Sequence, residues 1–146
     1  MSETRLPGQL DHIGIQVRAI EPAIEQLTAL FGYRQATEPV VNTRQGVRVV
    51  FLEKAGSIPL KLFCPLDGKA AAAAKLHHLA FRYGSVDEGV RTLSERGARV
   101  LSPAAPGEAF DEEPIAFLYA AGLNVEVVAT DKRRGRLPGG SDGGTT

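Results

Sequence analysis

The chain has 146 residues, which suits one ordinary domain that removes roughly two-thirds of its unfolded surface from water. Hydrophobic residues make up 43% and charged residues 23%, and seventeen basic residues balance seventeen acidic ones, so no net charge attracts nucleic acid or an anionic membrane. The single cysteine, Cys64, excludes a disulfide within the chain, and no stretch approaches the roughly 20 apolar residues that cross a bilayer. We therefore expect a cytoplasmic protein without nucleic-acid or membrane partners.

The first half of the chain predicts a strand, a helix and three further strands. Residues 10–17 alternate apolar and polar side chains, as a half-buried strand does. Residues 21–31 carry the apolar spacing of a helix that ends at Gly32. Three strand-like stretches follow, separated by turn-forming residues, at 35–41, 47–53 and 59–64. This half is therefore a βαβββ module.

The second half predicts the same order of elements. A strand at 76–83 is followed by a helix at 86–96. Three short strands complete the set, at 99–101, 115–120 and 124–128. The stretch 103–114 is rich in Pro, Ala, Gly and acidic residues, and it is predicted to be a loop that forms either a lid or a disordered excursion.

One domain accounts for both halves. It is predicted to cover residues 9–130, after a short extension at 1–8. Module one covers 9–66 and module two covers 75–130. The last stretch, 131–146, reads DKRRGRLPGGSDGGTT and is predicted to be a disordered tail, because Gly, Ser, Asp and Thr replace apolar anchors there.

The two halves also repeat each other in sequence. LDHIGIQV aligns with LHHLAFRY and superposes His12 on His78, while LKLF aligns with VEVV and superposes Lys61 on Glu126. The two alignments have nearly the same offset, which indicates a duplicated module. We therefore predict an α+β fold in which two βαβββ modules form an eight-stranded, mostly antiparallel, incomplete barrel around a central cleft.

The repeat brings chemically useful side chains together. Side chains alternate between the two faces of a strand, so the four matched positions converge if the modules pair about a pseudo-two-fold axis. The imidazoles of His12 and His78 then meet the carboxylate of Glu126. Two histidines and one carboxylate hold a divalent cation and leave positions open for substrate or water. The sequence therefore predicts a site for a divalent metal, with Co, Mn, Zn, Ni, Fe and Mg as candidates.

Nearly the whole predicted domain resembles the vicinal oxygen chelate superfamily of glyoxalases, bleomycin resistance proteins and dioxygenases, and within it the methylmalonyl-CoA epimerase family. The segments that carry the resemblance are LDHIGIQV, QGVRVVFLEKAGSIPLKLFCP, LHHLAFRY, SERGARVL, and IAFLYA followed by VEVV. The superfamily has metal ligands on its first, fourth, fifth and eighth strands, which implies His12, His78 and Glu126 as three of four ligands. The resemblance also implies a homodimer, as exposed strand edges do.

The fourth ligand position holds Lys61, where the epimerase family has Gln or Glu, and the family's glutamate base falls near Val49. A protonated ammonium ~4 Å from a divalent ion is repelled by roughly 8 kcal/mol at an effective dielectric of about 20. Three outcomes remain open. Lys61 loses its proton and acts as a base, it swings away, or it pairs with Glu126 in place of a metal.

Four further residues are expected to bind a small-molecule substrate. Gln16 and Arg82 share the cleft face, where arginine suits a carboxylate or a thioester oxygen. Phe63 also shares this face, and Tyr119 is expected to orient the substrate. By the same alternation, His77 is assigned to the opposite face as a structural residue.

Three functions fit these observations. The first is a metal-dependent enzyme of the glyoxalase or epimerase type, in which the cation polarises the carbonyl of a small acyl substrate such as a thioester and Lys61 moves the proton. The second is an Fe(II) dioxygenase-like enzyme with the same two-His-one-Glu site. The third is a metal-free small-molecule-binding or resistance protein in which Lys61 pairs with Glu126.

Overall fold

The structure, a computed structural model, describes residues 7–67 and 75–138. Module one contains β1 (Gln9–Gln16), α1 (Ile20–Phe31), β2 (Arg34–Gln35), β3 (Val40–Asn42), β4 (Val47–Glu53) and β5 (Leu60–Pro65). Module two contains β6 (Lys75–Arg82), α2 (Val86–Glu95), β7 (Arg99–Gly107), a 3₁₀ turn (Glu108–Phe110), β8 (Glu113–Ala120) and β9 (Leu123–Val128). No helix in the two described ranges is long and apolar enough to cross a membrane.

The strands form one sheet in which equivalent strands of the two modules occupy equivalent places on either side of the centre. The order is β2-β4-β5-β1-β6-β9-β8-β7, with β3 beside β4. At the centre β1 pairs with β6 antiparallel, while β5 lies parallel to β1 and β9 lies parallel to β6. The remaining pairs are antiparallel. This arrangement confirms the predicted α+β class, with a mostly antiparallel, open sheet built from two repeated modules.

The predicted strand at 35–41 is interrupted, and for this reason the sheet has nine strands instead of eight. β2 ends before the gap, and β3 resumes the pairing with β4 after it. Pro39, in the gap, has no N–H for a sheet hydrogen bond, and the N–H of Glu38 donates to Gly135 O at 2.7 Å. The backbone between β2 and β3 therefore hydrogen-bonds to residue Gly135, near the C-terminal end of the described residues.

The predicted loop at 103–114 is instead largely regular structure, and this corrects the expectation of a lid. β7 runs through its first half and pairs with β8, with register shifts on either side of Ser102. β7 is the last strand in the sheet, so Pro103 and Pro106 lie on an edge strand, where a missing N–H is tolerated. The 3₁₀ turn that follows buries Phe110, which is 1% exposed.

The tail predicted to be disordered from residue 131 packs against both modules. The N–H of Arg134 donates to Ala109 O in module two, and the N–H of Leu137 donates to Ala36 O in module one, both at 2.9 Å. These bonds overturn the expectation of disorder for residues 131–138, called here the C-terminal segment. Composition gave no sign of them, because the bonding partners lie far away in the sequence. The rest of the predicted tail lies outside the described residues.

The two helices cover one face of the sheet and leave the other face to a cleft. α1 packs on a core cluster that includes Val50 and Leu62, and α2 packs on a cluster that includes Leu118 and Val127. Side chains alternate along each strand, so the neighbours of these residues point into the cleft. A third cluster of buried side chains lies there: Ala36, Val49, Phe51, Phe63, Ala109, Phe110, Ile115 and Val128.

Candidate metal centre

Four buried polar side chains come from the four central strands and meet in the cleft. They are His12 on β1, Lys61 on β5, His78 on β6 and Glu126 on β9, and none is more than 4% exposed. The register repeats between the modules, since Lys61 lies beside Gly14 and Glu126 lies beside Ala80. The duplication seen in the sequence is therefore what brings the four positions together.

The three predicted metal ligands lie close to one another. Glu126 Oε1 is 3.0 Å from His12 Nε2 and 3.0 Å from His78 Nε2. Metal–ligand bonds of about 2.1 Å place neighbouring ligand atoms about 3.0–3.4 Å apart, so these distances suit a divalent cation. His78 Nε2 is buried, and among the described residues it finds no hydrogen-bond partner in suitable geometry. The donor set therefore fits a divalent metal ion.

Electrostatics keep the ligands in the forms that bind metals. Burial raises the pKa of Glu126, but the neighbouring groups, above all the charge of the Lys61 ammonium, outweigh burial and lower this pKa well below its usual value. Burial lowers the pKa of His78 to about 4, although the negative charge of Glu126, whose Oε1 is 3.0 Å from Nε2, opposes the shift. Near neutral pH, Glu126 is therefore a carboxylate and His78 a neutral imidazole. Metal ions require both groups in these deprotonated forms.

Lys61 distinguishes this site from a plain two-His-one-carboxylate centre. Its Nζ donates to both carboxylate oxygens of Glu126 at 3.5 Å, and its side chain is 3% exposed. Nζ also lies 5.3 Å from the centre of the Phe110 ring. Of the three arrangements expected for this lysine, the structure has the ion pair with Glu126. A cation bound by Glu126 competes with this ammonium for the same carboxylate.

His77, assigned to the outer face of the sheet, lies instead on the cleft wall. The register between β1 and β6 shifts next to His78 and leaves His77 as an extra residue, a β-bulge. The Nδ1 atoms of the two histidines are 2.8 Å apart, and the His77 ring is 4.8 Å from that of Phe63. Strict alternation gave the wrong face, because an extra residue breaks the two-residue period.

A second register shift, in β1, leaves Asp11 as an extra residue. Asp11 is 2% exposed, and its Oδ2 lies 2.7 Å from His12 Nδ1 and 2.9 Å from Nη2 of Arg133 in the C-terminal segment. Neither Asp11 nor Arg133 was predicted to be a site residue. Alternation places Asp11 opposite His12, and Arg133 lay in the predicted tail. The one sequence feature that could have indicated a role for Asp11 is its position directly before His12, a predicted ligand.

A cavity of about 370 Å³ opens beside Lys61 and His78. Its lining combines apolar and polar side chains: Gln45, Val47, Lys61, Phe63, His77, His78, Leu101, Ser102, Phe117 and Asn124. Phe63, predicted to bind substrate, belongs to this lining, and its ring stacks on His78 at 5.9 Å. The cavity thus joins the candidate metal ligands to space for a small molecule.

The other three predicted substrate-binding residues lie outside the described lining of this cavity. Gln16 ends β1 and is half-buried. Arg82 donates through Nη1 to Asp131 Oδ1 at 2.7 Å and to Thr130 O at 3.0 Å. Tyr119 is 42% exposed. Their contact with substrate stays a prediction.

Gly14→Ala is expected to displace the His78 ring. A Cβ at this position would overlap the ring atoms of His78. Overpacking of this kind typically costs about 1–3 kcal/mol, and here it also moves a ligand. We expect lower stability in urea and weaker Co²⁺ binding by calorimetry. Gly84→Ala is the matched control, because its added methyl meets only the end of the Glu88 side chain. Unchanged Co²⁺ affinity in Gly14→Ala would show that the ring position does not matter.

A duplicated βαβββ sheet with two histidines and a glutamate in its cleft defines a class of proteins with a candidate divalent metal centre. Comparison with known proteins agrees with this class. The profile of the Glyoxalase/Bleomycin resistance protein/Dioxygenase superfamily matches residues 11–117. The chain belongs to this superfamily.

Several of its relatives are epimerases. An ethylmalonyl-CoA/methylmalonyl-CoA epimerase from Cereibacter sphaeroides is 27% identical over 125 residues, which cover 80% of this chain and 92% of the relative. The crystal structure of methylmalonyl-CoA epimerase from Mycobacterium tuberculosis matches with a TM-score of 0.72 and 29% identity, covering 88% of this chain and 92% of that one. A variant of the Streptomyces coelicolor enzyme in complex with 2-nitronate-propionyl-CoA matches with a TM-score of 0.71 and 26% identity, covering 91% and 100%. These matches assign the chain to the isomerase-type enzymes.

Proposed function

We propose that the chain is a metal-dependent epimerase that acts on a small acyl thioester. The observation that carries this proposal is the cluster of His12, His78 and Glu126 beside a cavity of about 370 Å³. These three residues would hold a divalent cation, which would act there as a Lewis acid on a substrate carbonyl. The names of the relatives support a 2-alkylmalonyl thioester of coenzyme A as the substrate.

Side chains of the cavity would hold the acyl group and move its proton. Phe63 and Phe117 provide apolar walls, while Ser102 and Asn124 offer hydrogen bonds. Lys61 belongs to the same lining, and we assign to its amine form, released from Glu126 when a cation takes the carboxylate, the removal of the proton at the carbon beside the carbonyl. Epimerisation would move that proton from one face of the carbon to the Lys61 amine and return a proton from solvent to the other face. The reaction therefore balances without a redox partner.

The cavity volume suits the acyl part of such a thioester. Pockets for small ligands typically measure about 300–1,000 Å³, and this cavity lies near the lower limit. We infer that the acyl group enters the cavity while the larger part of coenzyme A lies outside it. The homodimer and the cytoplasmic location expected from the sequence stay predictions.

Lys61→Gln tests the metal site and the role of the lysine together. The substitution removes the ammonium that competes for Glu126, so we expect Co²⁺ to bind at least about tenfold more tightly. Tenfold corresponds to about 1.4 kcal/mol, which is a small part of the roughly 8 kcal/mol repulsion between an ammonium and a divalent ion ~4 Å apart. We also expect the variant to lose exchange of the substrate proton. The measurements are calorimetric titration with Co²⁺ and deuterium uptake from heavy water into methylmalonyl-CoA, followed by mass spectrometry.

Lys54→Gln changes an exposed lysine after β4 and should leave both measurements unaltered. Deuterium uptake by the wild-type protein should stop after chelation and return with a divalent metal. No uptake by metal-loaded wild-type protein would refute the proposed reaction. Uptake that survives in Lys61→Gln would refute only the proton-transfer role of the lysine.

The ion pair between Lys61 and Glu126 favours a second candidate function, a metal-free protein that binds or sequesters a small molecule. In that case the Lys61 ammonium takes the place of a metal ion, and its charge offsets the cost of burying the Glu126 carboxylate. The titration with Co²⁺ separates the two functions. A wild-type protein that binds no divalent cation, with Lys61→Gln less stable than wild type, would support the second candidate.

A further inference from the structure

Asp11 and Arg133 form a buried ion pair directly beside His12. Their side chains are 1% and 7% exposed, and Arg133 Nη2 donates to Asp11 Oδ2 at 2.9 Å. The same oxygen lies 2.7 Å from His12 Nδ1, while Arg82 Nη1 reaches the other carboxylate oxygen at 3.4 Å. Asp11 therefore connects the C-terminal segment to a ring nitrogen of a proposed metal ligand.

The guanidinium of Arg133 is held by aromatic rings as well as by charge. Its Cζ lies 4.6 Å from the centre of the Phe51 ring and 4.9 Å from that of Phe110. The His12 ring contacts the same two rings, at 5.5 and 6.0 Å between centroids. Nη1 of Arg133 also donates to two backbone carbonyls just before it in the sequence, those of Thr130 and Lys132. The arginine and the histidine thus pack in one aromatic frame, which limits the movement of both.

We propose that Asp11 and Arg133 are positioning residues for His12. When His12 Nδ1–H donates to Asp11, Nε2 is directed at Glu126, where its lone pair is available for a metal. Arg133 keeps the carboxylate of Asp11 from turning away. The inference rests on the proposed metal centre, and it makes the C-terminal segment a part of that centre.

Arg133→Met is the test, because methionine keeps an apolar side chain between the two rings and removes the charge. If Arg133 acted on the metal only through its charge, its removal would tighten cation binding. If it positions His12, Co²⁺ should bind more weakly, by about 10–100-fold, as is typical when a residue that orients a metal ligand is lost. The sign of the change in affinity therefore decides between the two roles.

A second measurement does not depend on metal. The buried Nδ1–H of His12 should give a slowly exchanging proton resonance in ¹⁵N-resolved NMR spectra, and the chain has 3 histidines, so it can be assigned. We expect this resonance to be lost in Arg133→Met. Arg134→Met removes the same charge from the next residue, which is 39% exposed and paired with Asp111 and Glu112. It should leave the Co²⁺ affinity within about twofold of wild type and should leave the His12 resonance in place.

Equal or tighter Co²⁺ binding in Arg133→Met, with the His12 resonance intact, would overturn the proposal even if the melting temperature fell. If Arg133→Met fails to fold, Asp11→Asn decides by the same two readouts, with weaker binding and loss of the resonance expected. If wild-type protein binds no Co²⁺, the proposed function fails. The resonance alone then determines whether Asp11 and Arg133 position His12.

Discussion

His78→Ala is expected to weaken Co²⁺ binding at least about a hundredfold and to abolish deuterium uptake into methylmalonyl-CoA. The binding free energy of Zn²⁺ at a structural site of four ligands is about 10–16 kcal/mol, or roughly 3 kcal/mol for each ligand. The loss of one ligand therefore corresponds to about two orders of magnitude in affinity. The buried His78 ring also packs against Phe63 and Phe117, so its removal lowers stability as well as metal affinity. Calorimetric titration measures the affinity directly.

Ser102→Ala provides the control for His78→Ala, because Ser102 lines the same cavity without belonging to the ligand cluster. The Co²⁺ affinity of Ser102→Ala should stay within about threefold of wild type, since Ser102 is outside the cluster of His12, His78 and Glu126. A His78→Ala variant that binds Co²⁺ as tightly as wild type would show that the metal, if any, is held elsewhere.

Glu126→Gln is expected to lower the free energy of unfolding of the metal-free protein by about 3–5 kcal/mol, because the substitution leaves the Lys61 ammonium buried without its counter-charge. The amide keeps the shape of the carboxylate, so the effect reports charge and not packing. Urea unfolding followed by circular dichroism measures it. Glu21→Gln makes the same chemical change in an exposed ion pair with Arg48 and should cost no more than about 1 kcal/mol.

The double variant Glu126→Gln/Lys61→Met distinguishes a broken ion pair from other damage. Removal of both charges should restore most of the stability lost in the single variant, since a buried pair is often replaced by apolar groups at little cost. If the double variant is as unstable as Glu126→Gln alone, the two histidines and not Lys61 are the partners that need the carboxylate.

The elements and ligands that sequence could predict are those governed by local periodicity and by the repeat. Alternation along β4 and β6 and the spacing of α2 gave boundaries within about two residues, the usual uncertainty of helix and strand ends. The meeting of His12, His78 and Glu126 in the cleft was predictable because duplication relates two stretches of chain, which one strand pattern alone does not reveal, while their role as metal ligands stays a prediction. The fold class followed from the same duplication.

The errors share a physical cause, which is that long-range backbone bonds have no local signature. A single extra residue at Asp11 or at His77 turns two neighbouring side chains toward one face, and no pattern of apolar residues announces it. Arg133 lies in a stretch whose composition indicates disorder, yet its bonds are made to Asp11, more than a hundred positions earlier. Asp11, His77 and Arg133 lie next to the proposed ligands, so the residues that surround these ligands were the hardest part of the site to predict.

The central pairing of β1 with β6 has a consequence for how the molecule holds together. Each half of the chain contributes one imidazole and one charged group, so neither half possesses a complete set of ligands. A cation bound at this seam bridges the halves, and its binding energy counts toward their cohesion, because only the joined form can bind it. Occupation of the proposed centre would therefore raise the free energy of unfolding of the whole domain.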